Sequence, residues 1–252
     1  MNLDKKKWMI HWEKQHESFE RLISDVDSLR RTQIVFRYIA KHDRIVEAGC
    51  GDGRFVFYFK SRGYDIVGID YVRSVVAKCR EIAKKKNYSL NTFKVADIRN
   101  LSSYRKTFDV YLSMGVLEHF RKDEQRIILD NAYLCLKEKG KIIITVPNLF
   151  SPWSVVRPVL RALGKNMHYQ RNITKRKIKR LAEEAGFSTI SVFNADVDIS
   201  FRMAFRLHRR DYFGIPNALY YCRNQIERLA AFCERRLSAL GYNTYYIGSR
   251  PN

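Results

Sequence analysis

Apolar residues in this chain follow two rhythms. Arg44–Ala48, Asp65–Asp70, Thr92–Ile98, Phe108–Met114 and Gly140–Pro147 are apolar through their middles, as strands buried on both faces of a parallel sheet must be. Between them apolar positions return every three or four residues, predicting helices over Phe55–Ser61, Ser74–Lys85 and Asp123–Leu136. Thr174 as a cap and Gly186 as a stop bound another helix, ending at Ala185, that leads to a strand over Ser188–Val197. Tyr245–Ser249 reads as the last strand. Strands alternating with helices predict an α/β fold with seven strands in a doubly wound, mostly parallel sheet.

Helical periodicity also flanks this core. Trp8 to Ala40 reads as helical, with Ile34, Tyr38 and Ile39 on a stripe toward the sheet. Residues 199–243 form an insertion where a tight hairpin would suffice. Within it, Leu219, Cys222, Ile226, Leu229, Cys233, Leu237 and Leu240 mark one long amphipathic helix. Upstream, Arg202, Arg206, Arg209 and Arg210 gather on one helical side, and Phe201, Ala204 and Phe205 on another. That pattern suits an anionic membrane surface, and equally a cap packed back on the domain. No repeat or Pro/Gly/Ser-rich linker divides the chain. The expectation is a single domain over 1–252: a helical lid at 1–40, a core at 41–198, the basic aromatic insertion at 199–243 and the last strand at 244–250.

Composition changes the picture in one respect. The net charge is +21, well beyond the magnitude of about 2 to 8 that serves solubility, so an anionic partner is expected. Residues 1–150 carry 29 basic against 19 acidic side chains, residues 151–252 carry 18 against 7, and the excess is densest in the C-terminal part. Five cysteines without a C-x-x-C pair favour reduced thiols and a cytoplasmic setting. The N-terminus lacks the apolar stretch of a signal peptide, and no run approaches the ~18 apolar residues of a spanning helix. The protein is therefore expected to be soluble or membrane-peripheral.

The chemistry is concentrated where the first strand runs into Glu47-Ala-Gly-Cys-Gly-Asp-Gly53. Gly49, Gly51 and Gly53, with Cys50 as a small turn residue, bring the backbone close to a ligand at a helix N-terminus. A dinucleotide loop would read G-x-G-x-x-G and receive a pyrophosphate. Here the third glycine comes one residue early, and Glu47 and Asp52 would repel that pyrophosphate. They suit a nucleoside that is cationic at this point, such as S-adenosylmethionine. Asp70, closing the second strand, can hold ribose hydroxyls, and Tyr71 can lie against adenine. Asp97 and Ile98 can accept from the adenine amino group and cover the ring, and Ser113–Met114 form the facing edge.

Glu47–Gly53, Gly68-Ile-Asp70, Ala96-Asp-Ile98 and Val116-Leu-Glu-His119, in order at strand ends, resemble the class I S-adenosylmethionine-dependent methyltransferases. The subgroup that includes quinone-biosynthesis methyltransferases is similar across Arg44 to Phe193. This resemblance implies a Rossmann-like sheet, a lid that closes over the cofactor, and a basic residue, Arg30 or Arg31, that meets the methionine carboxylate. His119 is the first candidate for a catalytic base and His168 the second. Some quinone O-methyltransferases carry Glu-x-x-Glu-His, which can hold a divalent cation. Gly115 replaces the first glutamate, so no required metal is expected. The expected acceptor is a hydrophobic or amphiphilic, lipid-like small molecule, with peripheral contact to an anionic membrane. An RNA acceptor is the chief rival; an Asn/Asp-Pro-Pro-aromatic clamp and a Pro-Cys dipeptide are both missing. A non-catalytic relic of the fold is the other alternative.

Overall fold

The computed structural model describes residues 30–152, 154, 157–158, 162, 170–171, 173–197 and 238–252. Seven strands form one sheet: β1 (Arg44–Ala48), β2 (Asp65–Asp70), β3 (Phe93–Val95), β4 (Phe108–Met114), β5 (Leu136–Pro147), β6 (Ser188–Ala195) and β7 (Asn243–Ser249). Their order is β3-β2-β1-β4-β5-β7-β6. Pairing is parallel from β3 to β5, while β7 runs antiparallel to both β5 and β6. The chain winds outward in both directions from β1 and β4, and a crevice opens at their C-terminal ends, where open α/β sheets take ligands.

Five α-helices are described: α1 (Arg30–Phe36), α2 (Arg54–Ser61), α3 (Arg73–Lys85), α4 (Lys122–Cys135) and α5 (Lys175–Glu184). Successive strand residues feed opposite layers, as pleating requires. Ile45, Val110, Leu112 and Ile143 pack with Phe55–Phe59 of α2 and Val76, Cys79 and Ala83 of α3. Val46, Tyr111, Ile142 and Ile144 pack with Ile128, Leu129 and Ala132 of α4 and Ile178 and Leu181 of α5. Both layers bury apolar side chains, so each central strand is continuously apolar, as expected. The short α1 is anchored by Phe36, whose ring lies 5.1 Å from Phe59 and 5.6 Å from Tyr64, and by Ile34 against Ala195 and Tyr245. The Ile34 contacts hold its second turn against the adjoining ends of β6 and β7.

α1 ends at Phe36, short of the expected Ala40, and four strand boundaries also differ clearly from the sequence expectation. β3 stops at Val95, before Asp97, whose Oδ1 accepts the Arg99 amide at 2.9 Å and turns the chain. β5 starts at Leu136 rather than Gly140, across a register shift that Arg250 stitches by donating to the carbonyls of Tyr133 and Leu136. β6 ends at Ala195 because Asp196 takes a left-handed conformation, φ 69°. β7 starts at Asn243, inside the expected insertion, because the side chains of Asn243 and Thr244 bond to Asp196 and Asn194 across the ladder. The expected N-terminal helix before residue 30 lies outside the described residues, as do Phe201–Arg210 and Leu219–Leu237; Ser238–Leu240 form one 3₁₀ turn.

Candidate active site

The glycine loop is clamped to the end of β2. The amides of Gly49 and Cys50 donate to the Ile69 carbonyl at 2.7 and 3.0 Å, and that of Gly51 donates to Asp70 Oδ2 at 3.1 Å. Asp70 Oδ1 accepts the Val72 amide at 2.9 Å. One carboxylate thus joins the loop to the turn carrying Tyr71, which is half-buried. Gly49 and Gly53 have φ near 76° and 75°, and a Cβ on them would lie 2.8 Å from Val116 and 2.7 Å from Phe93. Glycine is needed there because the loop packs against the protein's own side chains.

Three carboxylates surround this loop. Asp52 is paired with Arg54 at the start of α2. Glu47, 2 % exposed, keeps Oε2 without a hydrogen-bond partner. Burial, and then the charge of Asp52, push its carboxyl well above the usual range. Burial likewise raises Asp70, against the lowering pull of its backbone donors. A buried carboxyl held by the Val56 amide, with its other oxygen open beside the glycine loop, fits a ligand that brings a cation or hydrogen-bond donors.

The other expected residues line the same edge. Asp97 is taken up by Arg99, which also bonds Glu124 of α4, while Ile98 joins the buried cluster with Leu101 and Leu117. Ser113 is buried with its hydroxyl unpartnered, and Met114 pairs across the sheet with Thr145. Arg31 stacks over the Phe55 ring at 5.7 Å and hydrogen-bonds the Tyr245 phenol, spanning α2 and β7. Sequence position alone singled out Arg31, which the structure sets between the start of α2 and β7. His119 ends a 3₁₀ turn over Leu117–His119, is 16 % exposed, and has Nε2 3.7 Å from Glu118 Oε1. His168 lies outside the described residues.

A second polar group escaped the sequence reading. Asp196 is fully buried; its Oδ2 accepts from Asn243 Nδ2 at 2.5 Å and Tyr245 Oη at 2.7 Å, while Oδ1 has no partner. The charges of Arg31, Glu118, Arg157 and Asp196 all reach the Tyr242 phenol. These residues come from α1, β7, the residue before it and the segments after β4, β5 and β6, so only the strand order unites them. Asp196 and Asn243, where two strands meet, carried no motif that could reveal it. Among the described residues, no group of three or more His, Cys, Asp or Glu side chains could hold a metal ion.

Comparison with known proteins agrees with this fold. The sequence pattern of the methyltransferase domain family matches residues 39–186. A ubiquinone biosynthesis O-methyltransferase of Rickettsia akari is 27% identical over 133 residues, covering 50% of this chain and 51% of the relative. A 2-heptyl-1-hydroxyquinolin-4(1H)-one methyltransferase of Mycobacteroides abscessus is 31% identical over 130 residues, 48% of this chain and 57% of the relative. The chain thus spans little more than half the length of these two. A crystal structure of an S-adenosylmethionine-dependent methyltransferase from Archaeoglobus fulgidus superposes with a TM-score of 0.61 at 16% identity, covering 96% of this chain and 99% of that one. At that identity the likeness concerns the fold.

Proposed function

Since the chain belongs to the class I S-adenosylmethionine-dependent methyltransferases, we propose that it transfers a methyl group to a hydroxyl or amine of a hydrophobic or amphiphilic small molecule. The observation that carries this reading is the buried Glu47 oxygen, left without a partner beside the Gly49–Gly53 loop. A cationic nucleoside satisfies it; a pyrophosphate does not. Bound there, S-adenosylmethionine supplies an electrophilic methyl on a sulfonium.

In this reading the chain's residues bind, orient and exclude water. Glu47 faces the amino acid part, and Arg31 its carboxylate. Asp70 has acceptor capacity beyond its backbone donors Gly51, Tyr71 and Val72 for ribose hydroxyls. Tyr71, Asp97 and Ile98 flank the base, and Ser113–Met114 form the opposite wall. In-line displacement then depends on holding nucleophile, carbon and sulfur in a row. A heptyl-bearing hydroxyquinolone and a quinone precursor, named in the two relatives, are the first acceptors to try. Phe150, 68 % exposed just after β5, supports an apolar acceptor body, and the charge of +21 supports presentation at an anionic membrane.

Calorimetric titration with S-adenosylhomocysteine, with NADH in parallel, tests the cofactor. Micromolar binding of the former alone is expected; binding of NADH alone overturns the reading. Labelled methyl donor offered with the hydroxyquinolone, a hydroxylated quinone precursor, anionic lipid and RNA then tests the acceptor. Label entering RNA alone transfers the assignment to that rival.

A further inference from the structure

Among the described residues, the group best placed to act on the acceptor is one the sequence reading passed over. Glu118 lies in the turn that leaves β4, its side chain 2 % exposed. Oε2 has no hydrogen-bond partner, while the carboxylate takes a hydrogen bond from its own backbone amide and Oε1 stands 3.7 Å from His119 Nε2. A Cβ on Gly115, at the Ser113–Met114 edge, would lie 3.6 Å from Oε1, so the carboxylate borders the proposed cofactor wall. The charges of Arg31 of α1 and Arg157 of the segment after β5 reach it, and its own charge reaches Tyr242 before β7. The backbone fixes the turn: the Arg171 amide donates to the Glu118 carbonyl at 2.7 Å, and Gln125 Nε2 to that of Leu117 at 3.1 Å.

From this placement we propose that Glu118, rather than His119, is the catalytic residue that takes the acceptor's proton, and that its open oxygen selects acceptors presenting an O–H or N–H donor at the reacting atom. The inference rests on the methyltransferase reading. Glu118 accepts the proton; the pair it frees on oxygen or nitrogen forms the new bond to carbon. The carbon–sulfur pair withdraws onto sulfur, leaving a neutral thioether, and the carboxyl later returns the proton to water. His119 is a positioning residue that braces Oε1. Burial supports the assignment by pushing the Glu118 carboxyl up to about 8, where a base is effective near neutral pH.

Sinefungin, which carries a primary amine in place of the transferred methyl, tests the placement without a known acceptor. Its ammonium should meet Glu118, so the wild-type protein should bind it about tenfold more tightly than S-adenosylhomocysteine, the worth of a charged hydrogen bond. That preference should grow from pH 6 to 8.5 as the carboxylate ionises. Glu118→Gln should abolish it, leave S-adenosylhomocysteine affinity within about twofold and remove the pH dependence, while Glu118→Asp should keep part of it. His119→Gln should retain most of the preference. If Glu118→Gln weakens both ligands alike, or neither, the proposal is overturned. If Asp196→Asn alone removes the preference, the proton acceptor is Asp196. Failure of the wild-type protein to bind S-adenosylhomocysteine would instead refute the methyltransferase reading itself.

Discussion

At the scale of single residues, the crevice is built from groups that serve the protein and the proposed ligand together. Asp70 clamps Gly51 and Val72, so Asp70→Ala loses a ribose partner and also orphans two amides. We expect S-adenosylhomocysteine affinity to fall by ~1.5–3 kcal/mol, measured by calorimetry, with a lower Tm; unchanged affinity overturns the ribose assignment. Gly53→Ala forces a Cβ to 2.7 Å from the Phe93 ring at φ 75° and should cost ~2 kcal/mol or more in urea unfolding. Glu118 leads to a pH prediction whose sign is fixed by burial. Its folded pKa, about 8, lies above the ordinary 4.5, so folding favours the protonated form. Its contribution to stability is whole below pH 4.5 and is lost as pH rises through 8. Glu118→Gln should therefore gain Tm relative to the wild-type protein between pH 5 and 8.5; a constant difference would show that Glu118 is not buried as described.

At the scale of elements, legibility followed the reach of the interactions that set each boundary. α2, α3, α4 and α5 lie within one residue of their expected ends, because their caps and apolar stripes are local in sequence. Thr174 is one such signal: its hydroxyl accepts the Lys177 amide at 3.2 Å, and Thr174→Ala should cost ~1 kcal/mol in a denaturant titration. The boundaries that moved are set by distant partners. β7 gains Asn243 and Thr244 through Asp196 and Asn194, 47 and 50 positions away at the end of β6, and β5 gains Leu136 through Arg250. The site divides in the same way. The glycine loop and Asp70 stand at strand ends that motifs mark, whereas Asp196, Tyr242 and Tyr245 converge only because β7 lies between β5 and β6.

At the scale of the whole molecule, the charge of +21 predicts a salt-sensitive partner. Sedimentation with phosphatidylglycerol vesicles should capture the protein at about 0.05 M salt and release it near 0.5 M, as screening shortens the reach of surface charge. No binding at low salt would remove the membrane from the account. No helix among the described residues is long and apolar enough to cross a bilayer. The strand order also bears on how the molecule assembles. Lys141 of β5 pairs with Ser249 of β7, and β6 reaches the sheet only through β7. β1 already pairs with β4 across 65 positions, Ile45 to Val110, whereas β7 must pair with β5 across 108, Lys141 to Ser249, before Asp196 and Tyr245 settle beside β5. Closing so long a loop is slow. Refolding should thus proceed in two kinetic phases, with the Gly49–Gly53 cradle maturing in the first and the polar wall opposite it in the second.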